Sequence, residues 1–170
     1  MQPFLSCFGD AVERIGVLEL NAAQVLIPAH PRAAVTSGRA RLAVVGELLP
    51  TTAWFCSNYP SRTISVQLTL DSGQHVGMHD VSSKLIAWCN EIKQDVVTLH
   101  DVSLSASDAV VLQPEVDSHL WAGSDHHQAT YNGELCEWTL DAIGWLSAFL
   151  VDGAVQNGLS SPVVLSIRRR

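Results

Sequence analysis

Six residues between positions 117 and 131 bring together the side chains that catalysis and metal binding use most: Asp117, His119, Asp125, His126, His127 and Tyr131, with Trp121 and Gly123 among them. Three imidazoles and two carboxylates in so short a stretch are enough to hold a divalent metal such as zinc. A neutral histidine beside a carboxylate is also the working pair of general acid–base catalysis. His126 and His127 are the candidate metal ligands. Neither an HExxH nor an HxH spacing occurs, so composition rather than motif carries this reading. The same residue types also build interfaces: Trp121 and Tyr131 as aromatic anchors, Asp117, His119 and Asp125 as polar contacts.

The other histidines point less clearly to chemistry. His75 and His79 have the spacing that sets two ligands on one face of a helix, but the pattern around them reads as the return strand of a hairpin. There they would stand about 13–14 Å apart, too far to share one ion that each must approach to about 2 Å. His79-Asp80 and His100-Asp101 sit at element ends, where a carboxylate is the ordinary partner of a half-buried histidine. Spacing singles out no Ser/His/Asp set. There is no GxGxxG after a strand, no GKT or GKS and no GxSxG, so nucleotide-binding and nucleophile-elbow fingerprints are absent.

Charge narrows the partners. The net charge is −7 over 170 residues. Residues 42–167 hold 14 acids and only Arg62, Lys84 and Lys93, and Arg168, Arg169 and Arg170 form a basic tail. A body this acidic repels phosphate backbones, which excludes nucleic acid as a partner. It favours a basic protein partner instead. The four cysteines, Cys7, Cys56, Cys89 and Cys136, are widely spaced without a CxxC, and are expected as reduced core thiols of a cytoplasmic protein. The longest apolar run, Ala142–Val151, is about half of what a membrane span needs. The start of the chain lacks the basic and apolar regions of a signal peptide. Soluble, cytoplasmic and without a membrane partner is the expectation.

Elements must position these groups. Thr63–Leu70 alternates apolar and polar residues without a break, which predicts a strand. Asp71-Ser72-Gly73 reads as a hairpin turn, with Gln74–Met78 as the return strand. Val81–Lys93 has helical period, with Val81, Leu85, Cys89 and Ile92 on one stripe. Val96–Val102, Ala109–Leu112 and Val163–Ile167 read as strands, and Gln113–Gly133 as a long polar loop. A second helix is expected from about Glu134 to Asp152, capped by Asn132, and its nearly all-round apolar surface fits a central position or a homodimer interface. Upstream, a short helix at Asp10–Ile15, extended pieces at Val17–Leu20, Val25–Ile27, Arg41–Leu48 and Thr52–Cys56, and a strand at His119–Trp121 are weaker expectations.

The sum is a single α+β domain over residues 1–170, a mainly antiparallel sheet with two principal helices packed on one face. The function expected is that of a non-catalytic protein-binding module of the inhibitor, immunity, chaperone-like or assembly type. It would use an acidic surface and the aromatic and histidine loop at 113–133, with no cofactor. The alternative is a small enzyme, metal-dependent or using His/carboxylate acid–base chemistry, with its site in 117–131.

Overall fold

The computed structural model describes residues 2–16, 19–28, 63–92, 94–113 and 126–170. In chain order these form α1 (Gln2–Glu13), β1 (Ala22–Ile27), β2 (Ile64–Asp71), α2 (Met78–Glu91), β3 (Val97–Ser103), a single 3₁₀ turn (Ala106–Asp108), β4 (Gln128–Leu135), α3 (Leu140–Gln156) and β5 (Val163–Arg169). The strands make one sheet in the order β1-β5-β2-β4-β3, with every neighbouring pair antiparallel. The α+β class with an antiparallel sheet is as expected.

Strand alternation gives the sheet two unlike faces. Val66, Leu68 and Leu70 of β2 line up with Ala129, Tyr131 and Leu135 of β4 and with Leu165 and Ile167 of β5, and all are buried. α2 and α3 close over this face through Met78, Val81, Leu85, Ile143, Leu146 and Leu150. The largest side chains lie at the helix junction. Trp145 stacks on Phe149 at 4.7 Å between ring centroids, and Trp88 of α2 meets the same Phe149 at 4.6 Å. Contacts of this kind add about 0.5–1.5 kcal/mol each beyond the area they bury. α1 packs against α3.

The other face carries polar, uncharged residues that are nonetheless covered: Gln67, Thr69, Thr130 and Ser166. Burial is tolerable because they bond to one another along the rungs of the sheet. Thr69 Oγ1 and Thr130 Oγ1 are 2.9 Å apart, and Gln24 Nε2 donates to Ser166 Oγ at 3.0 Å. Arg168 donates twice to Gln67 Oε1, and the backbone N–H of Val110 donates to Thr69 Oγ1 at 2.8 Å. The chain after the 3₁₀ turn therefore crosses this face. The expected strand at Ala109–Leu112 is absent; that segment spends its hydrogen bonding on the sheet surface instead.

Three further expectations are corrected. Gln74–Met78 is no return strand. The turn occurs, with Gly73 at φ 58° and its N–H bonded to Asp71 Oδ1 at 2.7 Å, but it leads into α2. The run had only Val76 and Met78 as apolar marks, and Val76 is 74% exposed while Met78 opens the buried stripe of α2. α3 begins at Leu140, not near Glu134; Thr139 caps it, its side chain accepting from the Ala142 N–H, an interaction worth about 0.5–2 kcal/mol. The residues expected as the helix start and its cap, Asn132 to Leu135, end β4. Finally, α1 spans Gln2–Glu13 with Asp10 inside it rather than at its cap.

α3 is central, buried between the sheet, α2 and α1. Its apolar surface is thus satisfied within one chain and does not require a second copy. The expected elements at 41–48, 52–56 and 119–121 lie outside the described residues. Within them, no helix is long and apolar enough to cross a membrane.

Candidate functional site

The β2–β4 pairing brings two distant parts of the chain to one end of the sheet. Asp71, the last residue of β2, stands opposite Gln128, the first of β4. Its carboxylate is held on both oxygens: Oδ1 accepts the Gly73 N–H at 2.7 Å, and Oδ2 accepts from His126 Nδ1 at 2.7 Å and from Gln128 Nε2 at 3.0 Å. A carboxylate can only accept here, so Nδ1 of His126 carries the proton, and the neutral ring has its lone pair on Nε2. This is the carboxylate-oriented imidazole that acid–base chemistry uses. The pair is partly open, at 25% and 13% side-chain exposure.

Three more histidines share this end of the molecule. His127 bonds through its main chain, its carbonyl accepting from the Ser72 N–H and its N–H donating to the Gly73 carbonyl. Its ring lies edge-on to His79 at 6.3 Å. His75 accepts the Gly77 N–H on Nδ1 at 3.3 Å, which puts its proton on Nε2, 3.2 Å from Ser160 Oγ. His75 therefore donates to Ser160. It has the tautomer opposite to the one that would draw a proton from the hydroxyl, so the two do not form a nucleophilic pair.

These partners also separate the candidate ligands. His126 turns toward Asp71, and its neighbour His127 turns toward His79, the divergence expected of adjacent residues in extended chain. Among the described residues, no three His, Cys, Asp or Glu side chains converge as a metal site would need. His75 and His79 do not share a strand as expected. His75 is in the turn and His79 in the first turn of α2, each engaged elsewhere.

Of the candidate binding residues, Asp117, His119, Trp121 and Asp125 lie outside the described residues. Tyr131 is in the middle of β4 with 0% exposure, its hydroxyl 3.4 Å from the Ser82 carbonyl. It is a core residue and offers no contact to a partner. Burial raises its pKa, and the charge of nearby Cys89 adds to the effect; Cys89 itself is pushed up to about 12 by burial. At neutral pH Cys89 stays a thiol and is inert as a nucleophile. None of the described cysteines, Cys7, Cys89 and Cys136, forms a disulfide with another described residue.

A second feature lies along β3, beside β4. Among the described residues β3 pairs on one side only, with β4. From Gln94 to Ile167 the sequence has ten acidic residues and no Lys or Arg. Three of those acids, Asp95, Asp101 and Asp108, are exposed on β3 or beside it. Leu104 and Val111, 41% and 62% exposed, stand in the same stretch. A further side chain, Gln94, closes the start of the strand: its Oε1 accepts from the N–H of Val96 and of Val97 at 2.9 Å each, and its Nε2 donates to the Val97 carbonyl.

Asp71, Gln128 and Gln94 were not among the sequence candidates. Asp71 read as a turn residue, and a turn residue it is; its second role depends on which strand lies beside it. Comparison with known proteins adds nothing further: no protein-family model, curated protein or solved structure matches this chain.

Proposed function

We propose that the protein is a non-catalytic binding module whose partner is a basic protein. The observation that carries this reading is the edge of β3. Among the described residues this strand pairs on one side only, and it sets three exposed carboxylates and the exposed Leu104 in a stretch, residues 94–167, that has no Lys or Arg. Apolar anchors with a charged rim are how protein interfaces are built. A single-sign surface steers oppositely charged partners and rejects like-charged ones.

The test compares wild type with the Asp95→Lys/Asp101→Lys/Asp108→Lys variant. Each is immobilised and exposed to an extract of the source cells, and circular dichroism confirms that both are folded. A basic protein should be retained by wild type, released by about 0.5 M salt, where screening is nearly complete, and lost on the variant. Identical sets of retained proteins on the two columns would end this reading.

The Asp71–His126 pair favours a second reading, a His/carboxylate acid–base enzyme, because the carboxylate is fixed on three donors and holds one tautomer. Nitrogen NMR should then show neutral His126 protonated on Nδ1, and Asp71→Asn should erase that preference. A ring that samples both tautomers in wild type would remove the basis for this reading.

A further inference from the structure

The main chain of β3 states how a partner would attach. The Cys136 N–H donates to the Val96 carbonyl at 2.8 Å, so residue 96 faces β4. Alternation along an antiparallel strand then turns the N–H and carbonyl of Val97 away from β4, toward the side on which no described strand pairs, and those of Leu99 the same way. Both outward groups of Val97 are taken by one side-chain amide, that of Gln94: Oε1 accepts the N–H and Nε2 donates to the carbonyl. That two-bond exchange is the one a residue of an adjoining antiparallel strand would make. Gln94 thus occupies the first pairing position on the side of β3 where no described strand lies.

We propose that β3 receives an extended segment of the partner as this sixth strand, with the Gln94 amide guarding the first pairing position until it is displaced. This rests on the binding reading above and names its mode. The segment's chemistry follows from the two faces of the edge. On the polar face it would lie beside Thr98 and Asp101, with Asp95 and Asp108 near the ends of the strand, and Lys or Arg fits there. On the other face it would extend the apolar surface of Val97 and Leu99, where Val or Ile fits. The occupant is therefore a segment alternating basic and β-branched residues, read through its backbone as in other strand additions.

The probe is an eight-residue peptide of alternating Lys and Val, bound to the full chain and followed by fluorescence anisotropy. Two derivatives carry N-methyl groups on the odd or on the even main-chain nitrogens, so that each blocks one edge of the peptide and keeps its charge. The parent should bind, and one derivative should bind at least 10-fold more weakly. Gln94→Ala should tighten binding of the parent by 3-fold or more, because the competing amide is gone. Equal binding of all three peptides would overturn strand addition while leaving a charge-driven partner in place. No binding of the parent would also overturn it, whatever the extract experiment retains. Because the derivatives alter only the peptide, this result does not depend on how Gln94→Ala folds.

Discussion

Gly133→Val is expected to lower the unfolding free energy by more than about 3 kcal/mol, measured by urea denaturation. Gly133 lies in β4 between Val66 of β2 and Leu99 of β3. Its backbone is ordinary, so its need for glycine is spatial. A Cβ placed there would run into the carbonyl oxygen of Thr98 and come within 3.2 Å of Leu99 Cδ2. A side-chain tip can rotate away, but the Thr98 carbonyl belongs to the ladder itself. Relief requires β3 to move off β4. Overpacking commonly costs about 1–3 kcal/mol where side chains can adjust, and the upper end or beyond applies when backbone is the obstacle. Gly16→Val, where no heavy atom lies within 4 Å of the added carbon, is the control and should change stability little. A loss below about 1 kcal/mol for Gly133→Val would mean that β3 is not held against β4 as described. The same substitution would displace the edge strand on which the proposed partner docks.

The second large effect is alkaline. Stability should fall steadily once the pH passes about 9, and by pH 11 about 4 kcal/mol should be lost through two buried groups alone. Cys89 and Tyr131 are 2% and 0% exposed, and burial pushes both pKa values upward, that of Cys89 from 9.0 to about 12. In the unfolded chain the Cys89 thiol ionises near pH 9 and the Tyr131 hydroxyl near pH 10. Above those values the unfolded state has released protons that the folded state still holds. The unfolded state then binds fewer protons, and stability falls with rising pH by about 1.4 kcal/mol per unit for each such group. The contribution is fully present below pH 9 and disappears as the pH climbs toward the folded-state values. Denaturation midpoints at one-unit intervals from pH 8 to 11 measure the slope. Cys89→Ala should flatten it between pH 9 and 10, and Cys89→Ala/Tyr131→Phe should flatten most of the rest. A double variant with an unchanged slope would show that other groups govern alkaline unfolding.

Position in the sequence decided how legible each element was. β2 and most of β3 announce themselves because each has one polar face and one apolar face, which leaves a period of two in the residues, and β5 does so as a short apolar run after Pro162. α2 is as clear, since Val81, Leu85 and Cys89 recur on the stripe that meets the sheet. β4 was missed for a physical reason. Its inward positions are Ala129, Tyr131, Gly133 and Leu135; two of these four are small, and at Gly133 the Thr98 carbonyl of β3 leaves no room for a side chain. A strand whose core positions are small shows no hydrophobic alternation, so Gln128–Leu135 looked like the end of a polar loop and the start of a helix.

The candidate sites divide along the same line. The acidic half, the absence of nucleotide motifs and the exposed carboxylates near 95–108 are properties of composition and local order, and the sequence by itself determined them. The partner of His126 was another matter. Asp71 is 55 residues away, and the two meet only because β2 and β4 pair in one particular register, which the packing of the whole inner face selects. The role of Gln94 depends likewise on β3 being the edge strand of the described sheet, a fact of strand order that no local pattern encodes. Side-chain types along the chain settle what chemistry is present and which residues prefer burial. Which groups touch is settled by nonlocal pairing, because the free energy that chooses a register is summed over the core and not over any single segment.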